Sequence, residues 1–194
     1  MQHELRIGLA LTGSFCTFDK ALALAAALAE KYDLTALVSE TAAATDTRYG
    51  AAADLIARLE EITGRPVLRS ITQAEPIGPQ GLFDVLAVAP CTASTLAKIA
   101  AGVAEGTVPM AVKSQLRGGR PVVLAFGSND GLGASARNLG ELLARRDIYF
   151  APMYQDDPEG KPRSLASDYA RVEAAICAAF AGRQLQPIIG GRPE

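Results

Sequence analysis

The stretch Asp84 to Ala101, DVLAVAPCTASTLAKIAA, constrains the fold of this chain more than any other. Val85 to Val88 are four consecutive apolar residues, the pattern of a strand buried on both faces of a sheet. Pro90 has no N–H to give to a neighbouring strand, so the strand is expected to end at Ala89. The short hydroxyl residues Thr92, Ser94 and Thr95 favour a helix start, and Leu96, Ile99, Ala100 and Val103 then follow a helical period. Strand, polar elbow and helix, in that order, are the repeating unit of a parallel sheet. The elbow lies at the carboxyl end of the strand, where free helix N–H groups and short side chains hold anionic or heteroaromatic ligands.

The same unit recurs along the chain. Leu5 to Leu11 reads as a first strand ending in the turn Thr12-Gly13-Ser14, and Asp19 to Lys31 as the helix after it, with charges at its ends that match the helix dipole. Leu34 to Val38 is expected as a second strand, ending in the weaker elbow Ser39-Glu40. A loop over the strand ends should follow from Thr41 to Gly50, then a helix from Ala51 to Ile62. A short third strand is expected at Val67 to Ile71, and a proline-rich loop at Ala74 to Gly81. Beyond the central unit, Pro109 to Arg117 should be helical with proline at its first position, and Pro121 to Phe126 a strand with a third polar elbow, Gly127 to Gly131. Leu132 to Arg145 reads as helix, Ile148 to Ala151 as the last strand, Met153 to Ser164 as a charged loop and Leu165 to Ala181 as the final helix. Alternation of strand and helix throughout predicts a doubly wound parallel α/β sheet with right-handed crossovers. The length of 194 residues predicts a single domain, 1–194, with 183–194 as a C-terminal tail.

Composition removes several classes of function. Nineteen basic and 21 acidic residues give a net charge of −2 with no basic cluster, which argues against nucleic acid or an anionic membrane as partner. No apolar run reaches the roughly 18 residues that span a bilayer, and Gly8 and Gly13 interrupt the N-terminal apolar segment, so a cytoplasmic protein is expected. Cys16, Cys91 and Cys177 are odd in number and far apart, and His3 is the only histidine, so neither a disulfide framework nor a metal site is expected.

Together the elbows suit one phosphate and one flat polar ring. Thr12, Gly13 and Ser14 are the phosphate candidates: glycine lets the backbone approach closely and the hydroxyls add hydrogen bonds without charge. Cys91, Thr92, Ser94 and Thr95 are candidates for the ring edge, with Ser128, Asn129 and the weaker Ser39 beside them. Helix capping and ordinary turn formation explain the same residues without a ligand, and Cys91 is as well suited to a small core position as to reactivity.

The elements LTGSF (Leu11 to Phe15) and APCTASTLAKIAAGVAEG (Ala89 to Gly106) resemble the flavin-binding Rossmann-like proteins that include cysteine decarboxylases and flavin prenyltransferases. TDTRYG (Thr45 to Gly50), EPIGP (Glu75 to Pro79) and QDDPEGKPRSL (Gln155 to Leu165) are similar to one branch of that family, the B subunits of dipicolinate synthases. The resemblance implies a three-layer, flavodoxin-like fold, bound FMN, a trimer-based homo-oligomer, and a place in the mother cell of a sporulating bacterium. It also implies a share in the dehydrogenation of a cyclic lysine-pathway intermediate to dipicolinate, with NAD or NADP entering through a separate A subunit. For such a substrate, a small dicarboxylate, the candidate cations are Arg48, then Lys98 and Lys113, each with a solvated surface role as the alternative. Asp156 and Asp157 lie in a loop stiffened by Pro158 and Pro162, suited to a lid or a partner contact. Two departures stand out: Ser94 replaces the family's asparagine, and no histidine follows His3 to serve as the decarboxylases' catalytic base. The alternatives are a stand-alone FMN-dependent decarboxylase or flavin prenyltransferase, and a scaffold subunit without flavin.

Overall fold

The computed structural model describes residues 5–191; His3 and the last three residues of the expected tail lie outside them. Five strands, β1 (Arg6–Leu11), β2 (Asp33–Val38), β3 (Val85–Cys91), β4 (Val122–Phe126) and β5 (Ile148–Phe150), form a parallel sheet in the order β2-β1-β3-β4-β5. This is the flavodoxin-like doubly wound order. Side chains alternate across it and build two cores. Ile7, Leu9, Leu11 and Val123 point to one core with helices α1 (Phe18–Ala29), α3 (Ala52–Thr63) and α9 (Val172–Phe180). Leu86, Val88, Leu124 and Phe126 point to the other, with α6 (Ala93–Ala100), α7 (Thr107–Arg117) and α8 (Ser135–Leu143). Gly8 is needed beneath this second core, because a Cβ there would come within 2.5 Å of the Phe83 ring. Three short helices complete the set: α2 (Glu40–Ala44), α4 (Ile71–Ala74) and α5 (Ile77–Gln80).

Several boundaries differ from expectation for local physical reasons. The central strand does not stop at Ala89. It runs to Cys91 through a register shift between Val88 and Cys91, a bulge in which Pro90 is tolerated because no ladder bond is required of it. The expected strand at Val67 to Ile71 is reduced to one bridge, Leu68 against Leu37. Ser70 caps α4 by accepting from the Gln73 N–H, and this turns the chain away from the sheet edge. Helix α2 occupies the start of the expected loop at Thr41, with Ser39 accepting from the Ala42 N–H. The helix expected from Leu132 begins only at Ser135, because the Asp130 carboxylate ties up the Ala134 N–H and holds the preceding residues in turns.

The expected final helix from Leu165 is also too long. Its first residues instead enter β7 (Ala166–Ser167), which pairs antiparallel with β6 (Met153–Tyr154). This small hairpin is attached to the main sheet. Ser128 and Leu165 exchange backbone bonds of 2.9 Å in each direction, and the Ser167 hydroxyl donates to the Phe126 carbonyl at 2.8 Å. Gln184 fixes the following segment by bonding both the N–H and the C=O of Phe150, and Gly190 donates to the Met153 carbonyl. Among the described residues, no helix is long and apolar enough to cross a membrane.

Candidate functional site

Winding reverses between β1 and β3, and the carboxyl ends of these strands are where open α/β sheets receive ligands. The two ends are clasped by one side chain. The buried Thr12 hydroxyl donates to the Pro90 carbonyl at 2.8 Å and accepts from the Thr92 N–H at 3.0 Å, while its own N–H also donates to Pro90. Thr12 therefore sets the spacing of the two elbows, with both hydrogen-bonding functions of its hydroxyl engaged inside the protein.

A cleft opens on each side of this clasp. The first, of about 200 Å³, is bordered by Gly13, Ser39, Thr92, Ser94, Thr95 and Lys98, with Glu40, Thr41, Glu105 and Pro109. Its polar side chains are mostly committed to helix ends. Ser39 caps α2, and the Thr92 hydroxyl accepts from the Thr95 N–H while bonding the Thr95 hydroxyl at 3.1 Å. One Glu40 oxygen accepts from both the N–H and the hydroxyl of Thr107, at 2.8 Å each, and so caps α7. Burial works to raise the Glu40 pKa, but bonds from its own backbone and from Thr107, with Lys98 nearby, outweigh it and hold the carboxyl below its ordinary range. Lys98 is drawn to Glu105, whose carboxylate and carbonyl lie 3.4 and 3.3 Å from its ammonium. The Ser94 hydroxyl makes no hydrogen bond among the described residues, and the residue is exposed.

The second cleft, of about 180 Å³, is built differently. Ser14, Thr17 and Lys20 come from the β1–α1 connection, Ser128 and Asn129 from the elbow of β4, and Asp156, Lys161, Ser164 and Tyr169 from the hairpin region. Two polar atoms in its walls, Asp156 Oδ1 and the Tyr169 hydroxyl, are buried without a hydrogen-bond partner. Ser164, more than Lys161, holds the Asp156 carboxyl below the usual range against the opposing effect of burial, so it is an anion at neutral pH. Burial raises the Tyr169 phenol well above its ordinary value, which keeps it a proton donor. Lys20 forms no ion pair among the described residues, and Lys161 meets Asp156 at 3.4 Å. The Gly13–Ser14 turn borders both clefts, with Gly13 on one side and Ser14 on the other.

The remaining candidates fall elsewhere. Cys91 lines neither cleft; it is buried in the second core, and burial pushes its thiol up to about 12, a value that leaves almost no thiolate at neutral pH. Arg48 lies in the exposed loop after α2, donating to the Tyr49 hydroxyl at 2.8 Å with its guanidinium over that ring, outside both clefts. Lys113 is on the outer part of α7, also outside them. Lys20 and Tyr169 carry no signal in the sequence, and Lys161 falls within QDDPEGKPRSL without being singled out. No motif links positions this far apart, and only the Ser128–Leu165 pairing brings the hairpin residues to the sheet. The arrangement gathers hydroxyls, ammonium groups and backbone amides at the strand ends, groups suited to binding and orientation.

Similarity to known proteins agrees with this architecture. Residues 1–147 match the family model described as Flavoprotein. The B subunit of dipicolinate synthase from Bacillus subtilis is 36% identical over 185 residues, covering 95% of this chain and 92% of that protein. The crystal structure of the corresponding dipicolinate synthase B subunit from Bacillus halodurans superposes with a TM-score of 0.88 at 36% identity, covering 96% of each chain. A dodecameric FMN-dependent Ubix-like decarboxylase from Escherichia coli O157:H7 superposes with a TM-score of 0.56 at 27% identity, over 72% of this chain and 75% of that one. The chain belongs to the Flavoprotein family, in its branch of dipicolinate synthase B subunits.

Proposed function

We propose that this protein is the B component of a two-subunit oxidoreductase. With an A subunit that supplies NAD or NADP, it takes part in dehydrogenating a cyclic dicarboxylate of the lysine pathway to dipicolinate, and it binds FMN on the edge formed by the elbows. The observation that carries this reading is near-full-length similarity, 36% over 95% of the chain, to a dipicolinate synthase B subunit. The site fits the cofactor. A Cβ on Gly13 would come 3.2 Å from the Thr41 methyl, so the turn is as open as its packing permits, and the Ser14 hydroxyl beside it makes no hydrogen bond among the described residues. Gly13 and Ser14 would hold the phosphate; Thr92, Ser94 and Thr95 would meet the ring, with Ser128 and Asn129 across the turn. Bound FMN supplies hydride and electron transfer.

In the same reading, Thr12 and Cys91 act from beneath, one by fixing the spacing of the elbows and the other by filling the core. The dicarboxylate falls to the second cleft, whose Lys20 and Lys161 stand where Arg48, Lys98 and Lys113 do not. Self-association into a trimer-based assembly belongs to this reading as well.

The test has two parts. Titration with FMN, followed by quenching of flavin fluorescence, should give saturable binding that Ser14→Asp abolishes by placing negative charge against the phosphate. Dipicolinate formation by the A subunit should rise when this chain is added; an A subunit that works alone at the full rate would overturn the proposal. Ser94, at the family's asparagine position, favours a second reading, a flavin-free scaffold. That reading is supported if FMN does not bind while the chain still stimulates the A subunit.

A further inference from the structure

Where α7 meets the end of α6 and the residues after α8 lies a groove of about 380 Å³, larger than either cleft at the strand ends. Its floor is apolar, built from Val103, Val112 and Leu116, and Val103 is 43% exposed, an apolar side chain left open to solvent. Its rim carries charge of one sign only, from Lys113, Arg117 and Arg145. The Arg145 guanidinium is held in place by donating to the Ile99 carbonyl at 3.2 Å, and neither it nor Lys113 has an ion-pair partner among the described residues. Arg117 reaches Glu75 only at 3.9 Å, with both side chains largely exposed. A cationic rim around an apolar floor, on a chain whose net charge is −2, is complementary to a segment that is acidic on its flanks and apolar on one face. Along α7 the groove runs from Pro109 to Arg117, a length of about 12 Å, room for about two turns of a docked helix.

The position of the groove says which partner would use it. Pro109 borders both the groove and the first cleft, so a segment lying on α7 ends beside the elbows of β1, β2 and β3. We propose that this groove is the docking surface for an acidic amphipathic helix of the companion subunit, whose own active site is thereby brought to the strand ends. The inference rests on the two-subunit reading above. It also gives Lys113 a role in recognising a protein partner in place of a small carboxylate.

The experiment measures binding of the purified A subunit to the full chain by calorimetry, for the wild type and for Lys113→Glu/Arg117→Glu/Arg145→Glu. A parallel variant, Lys113→Gln/Arg117→Gln/Arg145→Gln, removes the charge without reversing it. FMN titration and a thermal melt on each variant establish that the fold is intact. The expected result is at least about a tenfold loss of affinity on reversal, a smaller loss on neutralisation, and wild-type binding that weakens with salt. Affinity within about twofold of wild type in both folded variants would overturn the groove while leaving the two-subunit reading standing. A wild-type chain that does not bind the A subunit at all would remove both. A change in oligomeric state on gel filtration with unchanged affinity for the A subunit would identify the occupant as a second copy of this chain, and would also overturn the proposal.

Discussion

The two clefts at the strand ends have nearly equal volumes and share the Gly13–Ser14 turn, yet they are held together in different ways. In the first, Ser39, Thr92 and Glu40 each close a helix, so a ligand there meets walls already set by capping. In the second, Ser164 and Lys161 stabilise the Asp156 carboxylate, but its Oδ1 and the Tyr169 hydroxyl have no well-formed hydrogen bond although both are buried. Both clefts use hydroxyls to bond the backbone, Ser39 and Thr92 in one and Ser128, Thr17 and Ser167 in the other, but only the second also buries polar atoms that lack a partner. The difference teaches that the same residue types can close a cleft's walls completely or leave part of them to a ligand.

The contrast is open to breaking. The largest effect should come from Thr12→Val, which removes the clasp common to both clefts and leaves the Thr92 N–H without its acceptor; a loss of about 2 kcal/mol in urea unfolding is expected, with weakened FMN binding. Next, Thr92→Ala should lower stability by about 1 kcal/mol through loss of the α6 cap, whether or not a ligand is present. Tyr169→Phe should do the reverse: unliganded stability is unchanged or higher by about 0.5 kcal/mol, while affinity for a dicarboxylate substrate falls. Equal destabilisation by Thr92→Ala and Tyr169→Phe in the unliganded protein would erase the distinction.

A weaker signature is expected in pH. Because folding lowers the Glu40 pKa, its contribution is complete above the ordinary carboxylate value of 4.5 and fades as pH falls from there through the lowered value. Glu40→Gln should therefore flatten the acid limb of a stability profile and leave the neutral region shifted by no more than about 1 kcal/mol. The smallest effect concerns Cys91: at neutral pH a thiol reagent should modify the exposed Cys16 and Cys177 and spare Cys91 until the protein unfolds.

How much of this was legible in the sequence follows the same division. All five strands of the main sheet are visible as apolar runs, and the first cleft is visible too, because capping is a local preference written within three or four residues of Ser39 and Thr92. The bulge at Pro90 was not, since proline's missing N–H argues for a strand end unless the neighbouring strand's register is known. Leu165 to Ser167 look helical on their own and are held extended only by non-local pairing, Leu165 with Ser128, and Ala166 and Ser167 with Tyr154 and Met153. The second cleft is legible only in part: Ser14, Ser128 and Asn129 stand out as elbow residues and Asp156 and Lys161 lie in a recognisable loop, whereas Lys20 and Tyr169 share no local pattern with them, and the non-local pairing of Ser128 with Leu165 is what brings the hairpin residues to the elbow.

That pairing also fixes an order of events. Every strand of the parallel sheet lies before residue 151, whereas the outer wall of the second cleft is drawn from residues 153–169 and held by Gln184 and Gly190. Since α9 follows the hairpin in sequence and belongs to one of the two cores, that face of the sheet is covered only once residues 153–169 are in place, and the wall of the cleft is closed together with the core.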